Sequence, residues 1–200
     1  MADLYEITIG PTGYPVVLAD VKAYMKVTST AENDLITNMI IAATESIEDY
    51  TGQYFISRTV QGDFDSIMQT GYERYPFVTL RRGPLSSVTS VQVSIDSTYT
   101  DEDYQIKKRN HGYPRILFDD FTAGLDDIPF PLRITFVAGY GAVSVIPQNI
   151  KFAIMGFVNF MYKNRDDCID ASACSQVMAM SGFPAGVAST INRLRIIEVY

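Results

Sequence analysis

The chain has 200 residues, 47% of them hydrophobic and 20% charged, with a formal net charge of −7. This length is enough for one domain with a hydrophobic core, alone or with an appendage, and the composition is that of an ordinary globular protein. The acidic balance argues against a protein that coats nucleic acid, because such proteins neutralise phosphates with lysine and arginine. It does not argue against a surface past which DNA slides.

Neither secretion nor membrane insertion is predicted. The N-terminus lacks the basic start and the long apolar run of a signal peptide. The longest apolar stretch, residues 152–161, is interrupted by Gly156 and Asn159 and is too short to span a bilayer. Cys168 and Cys174 match no common metal or redox spacing, so we expect both to be reduced thiols.

The chain begins with an extended entry arm and a short helix. Residues 1–14 contain glycine and proline turn signals and no helical period, which indicates an extended arm. A helix is predicted for residues 17–27. Its predicted apolar face consists of Leu18, Val21, Tyr24 and Met25.

The second helix, predicted for residues 31–50, has the clearest start and stop signals in the sequence. Ser29 and Glu32 have the spacing of a capping box, and Gly52 is placed to end the helix in the left-handed conformation. Ile41 departs from the apolar stripe of this helix, so we expect something other than the local core to bury it. The stripe comprises Leu35, Ile36, Met39, Ile40, Ala43, Ile47 and Tyr50.

A β region follows, because the apolar period changes from helical to alternating after Gly52. Short strands separated by glycine, proline and asparagine turns are typical of a small antiparallel sheet or hairpin array. The predicted strands are residues 54–60, 77–80, 88–95, 104–107, 115–118 and 132–137.

The last strong helix is predicted for residues 147–164. Pro147 suits the start of a helix, where its missing N–H is harmless. The helix is hydrophobic almost all round, which predicts a central position. Residues 166–189 show no clear period and indicate a loop or linker, whereas residues 191–199 fit either a terminal helix or a strand that docks onto a partner.

No residue pattern indicates catalysis, a metal or a cofactor. The paired carboxylates at 119–120 and 126–127 flank a glycine and precede a proline, which favours a solvated or lumen-facing loop over a cation site or a catalytic pair. His111 lies in a turn-like Asn-His-Gly sequence with no triad or metal spacing around it. The basic clusters at 81–82 and 107–109 favour a solvated face over a salt-bridging surface or a phosphate contact.

Four segments, in this order, resemble the head–tail connector proteins (adaptor or head-completion proteins) of long-tailed bacteriophages and gene-transfer particles. They are the helix pair ending in EDYTG at 48–52, LRRGPLSSV at 80–88, ITFVAGYG at 134–141, and the helix after Pro147 that ends in YKNR at 162–165. The resemblance covers about residues 15–165. The insertion-rich middle and the long C-terminal segment depart from the compact members of that family.

The resemblance implies a structural virion protein with no catalytic residues. Such proteins form a ring, usually of twelve subunits, beneath the portal of a DNA-filled head; the ring extends the DNA channel and presents a surface to the next neck or tail protein. The expected partners are other copies of the chain, the portal protein and a stopper or tail-completion protein, with transient, non-specific passage of DNA. The expected location is the virion neck, after synthesis in the bacterial host cytoplasm, without cofactor, membrane or small-molecule substrate.

The expected fold is α+β. The N-terminal helix pair and the 147–164 helix would form a helical layer, with a small antiparallel β region within residues 54–137 and an extended C-terminal segment. Residues 1–165 would be the connector domain and residues 166–200 the docking segment. We expect the helical layer to carry the subunit contacts and the β region to project from it.

Three groups of residues are candidates for these contacts. The candidate subunit interface is Ile36, Ile40, Ile41, Phe152 and Phe160. The candidate portal-docking residues are Ile191, Arg193, Leu194, Arg195 and Ile197. The candidate channel-lining residues are Asp101, Asp103, Asp119, Asp120, Asp126 and Asp127. Deletion of residues 181–200 is expected to abolish portal attachment and to leave the fold intact.

Three other functions stay open at this point. A neck stopper or tail-completion protein would also be a virion component, although such proteins are more uniformly β. A hydrolase using the paired aspartates would need a concave pocket and a carboxylate with a raised pKa. A stand-alone binding module would form no ring.

Overall fold

The computed structural model describes residues 4–65, 75–95, 98–107, 113–118, 131–165 and 182–195. These residues form an α+β fold with four α-helices and two antiparallel sheets, so the predicted fold class is confirmed. The backbone contacts divide the chain into two compact units. The β unit takes the described residues of 4–12 and 57–140, and the helical unit takes those of 13–56 and 141–195.

The helical unit contains all four helices. They are α1 (Leu18–Met25), α2 (Asn33–Thr51), α3 (Gln148–Lys163) and α4 (Ala185–Leu194). The first three lie within two residues of their predicted bounds. Helix α4 was predicted only in part. Residues 185–189 were expected to belong to a loop, but they are helical, because α4 packs an apolar face on α3 and α2.

The glycine that ends α2 was predicted correctly, whereas the capping box predicted at its beginning is not formed. Gly52 is left-handed, with φ 69°, and its N–H donates to the carbonyl of Glu48 at 2.9 Å. At the other end the N-cap is Glu32, and no side chain caps the helix. The predicted capping box is therefore wrong, since the Glu32 carboxylate binds Tyr162 and Arg165 instead.

The β unit is built on a five-stranded antiparallel sheet. Its strands are β1 (Leu4–Ile9), β2 (Arg58–Phe64), β4 (Leu85–Ile95), β5 (Thr98–Asp101) and β8 (Leu132–Ala138), and their order in the sheet is β1-β2-β8-β4-β5. A second antiparallel sheet consists of β3 (Phe77–Thr79), β6 (Gln105–Lys107) and β7 (Arg115–Leu117), in the order β3-β7-β6.

The sheet differs from expectation at three strands. Strand β2 begins at Arg58 rather than Tyr54, because the backbone N–H of Phe55 donates to the buried Glu48 carboxylate at 2.7 Å instead of joining a ladder. Residues 4–9 of the predicted entry arm form strand β1, which pairs with β2. Strand β5 was not predicted.

The core of the five-stranded sheet lies on one face of its central strands. Strand β8 alternates strictly between buried and half-buried residues, and Ile134 and Phe136 are both fully buried. The ring of Tyr5 on β1 meets Phe64 edge to face, with 5.7 Å between ring centroids. Aromatic packing of this kind holds the edge strand onto the sheet.

A methyl group at Gly62 is expected to destabilise the β unit by about 1–3 kcal/mol through overpacking. A Cβ atom at this position of β2 would lie 2.8 Å from Cε2 of Phe64, whose ring is buried, so the ring would have to shift. Urea unfolding of Gly62→Ala measures the loss. Gly10→Ala is the matched control, since a Cβ at Gly10 meets nothing within 4 Å; equal unfolding midpoints for the two variants would contradict the packing argument.

Candidate functional site

Helix α1 lies largely uncovered on the helical unit. Of its eight residues only Val21 is buried. Tyr24, predicted to share the buried face, is 46% exposed, so the face predicted for this helix is only partly buried. Val17, immediately before α1, is also half exposed. A short helix with this much uncovered apolar surface is a candidate for contact with another molecule.

Helix α3 presents Phe152 to solvent. Phe152 is 57% exposed although it lies in a helix whose opposite face is fully buried. It borders a cleft of about 330 Å³ between α1 and α3. The cleft is lined by Val16, Asp20, Ala23, Tyr24, Gln148, Lys151, Phe152 and Met155. Exposed aromatic residues beside a cleft are typical anchors of protein interfaces.

The five candidate interface residues have different environments. Ile36 and Ile40 are buried in the core of the chain itself and leave no side-chain surface for a neighbour. Ile41 and Phe160 are half-buried, and Phe152 is exposed. Of the five, the last three have surface with which to contact a second copy.

The beginning of α2 is joined to the end of α3 by a clasp of three side chains, Glu32, Tyr162 and Arg165. The hydroxyl of Tyr162 donates to one Glu32 carboxylate oxygen, and the Arg165 guanidinium donates to the other at 2.7 Å. The guanidinium also stacks on the Tyr162 ring, 4.7 Å from its centroid. The clasp fixes the point at which the chain leaves α3.

The C-terminal helix is held tightly to the helical unit. Ile191, a candidate portal-docking residue, is fully buried, so its side chain is core and not docking surface. Arg193 and Arg195 are exposed and Leu194 is half-buried. The guanidinium of Arg195 lies 5.3 Å from the ring centroid of Tyr50 on α2. Of the candidate docking residues, Arg193, Leu194 and Arg195 are therefore the ones with side-chain surface in contact with solvent. Ile197 lies outside the described residues.

Comparison with known proteins identifies the family. A family model described as head completion protein matches residues 16–195. The chain belongs to the head completion protein family. This confirms the resemblance found in the sequence. No curated protein matches the chain.

Three solved structures have the fold of this head completion protein, each covering 98% of this chain and 97% of the other. The first is the neck of an empty gene transfer agent (GTA) particle computed with C6 symmetry, with a TM-score of 0.72 and 21% identity. The second is the virion of a native GTA particle, with a TM-score of 0.71 and 21% identity. The third is the neck of a native GTA particle computed with C12 symmetry, with a TM-score of 0.67 and 22% identity.

Most of the candidate channel-lining residues lie outside the part of the chain that the structure describes. Asp101 and Asp103 are exposed, and Asp101 accepts a hydrogen bond from Gln92 at 3.0 Å. Residues 119–120 and 126–127 lie outside the described residues, as do His111, Cys168 and Cys174. Acidic and basic residues are nearly balanced in the described segments, so most of the net negative charge belongs to the remaining sequence.

Edge strand β1 carries an apolar surface that the sequence reading missed. Leu4, Ile7 and Ile9 are 55%, 45% and 63% exposed. Among the described residues β1 pairs only with β2, so its other side is an edge of the five-stranded sheet as described. The signal was present as the alternation in residues 4–9, which is too short to distinguish from an arm by period alone.

No described helix has the length and apolar character needed to cross a membrane. Within the described segments, no three side chains among histidine, cysteine, aspartate and glutamate come together as a metal site would require.

The clasp is expected to make the helical unit less stable in acid. The hydrogen bond from Tyr162, followed by the charge of Arg165, holds the pKa of Glu32 below its ordinary value of 4.5. A carboxylate with a depressed pKa stabilises the fold above that ordinary value, and the contribution is lost as the pH falls through the folded-state pKa.

Replacement Tyr162→Phe removes the main cause of this shift. We expect the variant to be less stable near neutral pH and to lose less stability than the parent protein on acidification from about pH 5 to about pH 3. Urea unfolding at each pH measures both effects. Tyr14→Phe, at an exposed tyrosine in the same unit, should leave the pH dependence unchanged; identical pH profiles for Tyr162→Phe and the parent would contradict the role of the clasp.

Proposed function

We propose that this protein is a structural component of a virion neck, where it forms a homo-oligomeric ring that joins the portal to the tail. The observation that carries the proposal is the family match over residues 16–195, together with a shared fold over almost the whole chain with three structures from GTA particles. Two of those structures are necks, computed with C6 and C12 symmetry. A ring of twelve subunits is consistent with both.

The ring would extend the DNA channel and dock the next neck or tail protein, with no catalytic step. The uncovered surfaces of the helical unit support an assembly role, because the exposed Tyr24 and Phe152 line the same cleft, and clustered exposed apolar side chains mark interaction sites.

The C-terminal segment is proposed to contact the portal. Arg193, Leu194 and Arg195 supply two exposed charges and a half-buried apolar group at the end of α4. The last five residues, IIEVY, are rich in β-branched and aromatic residues and fit strand addition to a partner. Attachment through a terminal segment lets the subunit fold before it binds.

The acidic segments are proposed to face the DNA channel. A ring multiplies the acidic excess of each subunit, and negative walls repel phosphates, so DNA would pass without sticking. A neck structure that places Asp101 and Asp103 on the outer rim would contradict this assignment.

The test of the proposed function is the oligomeric state of the purified protein, alone and with the portal protein of the same particle. Mass measurement and negative-stain imaging are expected to show closed rings, either for the protein alone or when portal is added. A strict monomer that also fails to bind portal would overturn the proposal. A monomer that assembles only on portal would support it.

A further inference from the structure

The two long helices of the helical unit carry opposite charges. Helix α2 contains Asp34, Glu45, Glu48 and Asp49 and no lysine or arginine, and all of these acidic residues except Glu48 are exposed. Helix α3 contains Lys151 and Lys163 and no acidic residue. Within one subunit this difference does little, since the two helices pack through apolar residues.

The exposed faces of the two helices are also different in shape. On α2, the exposed residues Asn38, Ala42, Glu45 and Asp49 recur with a helical period, so they form one stripe opposite the buried face. Ala42 lies in this stripe and is small enough for another helix to approach closely. On α3, the exposed stripe contains the bulky Phe152 beside the α1–α3 cleft. The α2 face is acidic, whereas the cleft side combines the apolar Phe152 with one charge of each sign, Asp20 on α1 and Lys151 on α3.

A closed ring requires two such complementary faces. Each copy in a cyclic ring contacts its two neighbours through different surfaces, because the interface is head to tail rather than self-complementary. Since α2 and α3 pack together through their buried faces, their exposed stripes lie on the far sides of the pair. Repeating the pair around a ring would bring the stripe of one copy to the cleft of the next.

We propose that the outer face of α2 in one copy docks into the α1–α3 cleft of the next copy. Phe152 is the aromatic anchor and packs against the stripe that contains Ala42, while Lys151 and Lys163 face the acidic residues of α2. Complementary charge of this kind fixes the order and direction of the contact. The occupant of the cleft is thus a second copy of this chain, and the inference rests on the proposed ring.

Photo-cross-linking tests the proposal directly. Benzoylphenylalanine in place of Phe152 keeps an aromatic side chain and reacts with the groups that surround it. Rings assembled from a mixture of isotope-labelled and unlabelled protein distinguish cross-links between copies from those within one copy. We expect the main product to join position 152 of one copy to residues 33–51 of another. The same variant as free subunits, before rings form, is the control and is expected to give no cross-link between copies.

The outcomes separate this inference from the proposed function. Rings in which position 152 cross-links to another segment, or to nothing, would overturn the docking arrangement and leave the ring function standing. Failure to form rings, both alone and with portal, would overturn the proposed function and the docking arrangement with it.

Charge reversal supplies a second readout. Glu45→Lys and Lys151→Glu are each expected to lower the fraction of protein in rings about tenfold, and the double variant is expected to regain most of that loss. Strictly additive losses in the double variant would show that these charges do not face each other and would overturn the proposed register.

Discussion

An aspartate at Ile41 is expected to prevent ring assembly and leave the subunit folded, whereas an aspartate at Ile36 is expected to unfold it. Ile36 is fully buried in the apolar core, where a carboxylate costs several kcal/mol, a large part of the stability of an ordinary domain. Ile41 is half-buried at the margin of the exposed stripe of α2, so a charge there can stay in contact with water in the free subunit.

Circular dichroism with urea unfolding measures the fold of both variants, and mass measurement measures the ring. The contrast between neighbouring positions on one helix makes each variant the control for the other. If Ile41→Asp formed rings as readily as the parent protein, the margin of α2 would not be a subunit boundary. If it unfolded as Ile36→Asp is expected to do, the position would belong to the core.

Removal of residues 182–200 is expected to unfold the helical unit, whereas removal of residues 196–200 alone is expected to leave the fold and to abolish portal attachment. The longer deletion takes away α4, of which Val187 and Ile191 are buried, together with the buried Phe183. Burial of three such side chains is worth about 5 kcal/mol or more. This is the opposite of the sequence-based expectation that the fold survives deletion of residues 181–200.

Matched truncations measure these two roles separately. Unfolding by urea reports the contribution of α4, and co-sedimentation with portal reports attachment. The charge-reversal variant Arg193→Glu keeps α4 and the terminal residues and changes an exposed charge, so it separates the role of that charge from the role of the terminal residues. Portal binding that is unaffected by removal of residues 196–200 and by the reversed charge would contradict the docking role of the C-terminal segment.

Local sequence signals were sufficient to predict the elements whose conformation is determined by their own residues. The left-handed end of α2 was predicted because Gly52 supplies that conformation at no steric cost. Strand β8 was predicted because its alternation matches a sheet buried on one side. The capping box of α2 was mispredicted because Glu32 binds Tyr162 and Arg165, more than a hundred residues away, and no local pattern reports such a contact.

The surfaces were harder to predict than the elements. The apolar stripe of α2 was recognised, but Ile36 and Ile40 could not be separated from interface residues, since periodicity does not distinguish a core from a subunit contact. Helix α4 was missed because its alanine, glycine and serine residues dilute a sparse apolar period, although Val187, Ile191 and Leu194 have helical spacing. Phe152 was a candidate interface residue, but periodicity alone could not establish its exposure, because a helix that is apolar almost all round indicates burial.

Electron microscopy of particles from cells in which the gene for this protein is disrupted tests the central claim most directly. If the protein joins portal to tail, heads and tails are expected to accumulate separately, and supplying the protein is expected to restore tailed particles. Complete tailed particles at the frequency of the undisrupted cells would contradict a role in the neck.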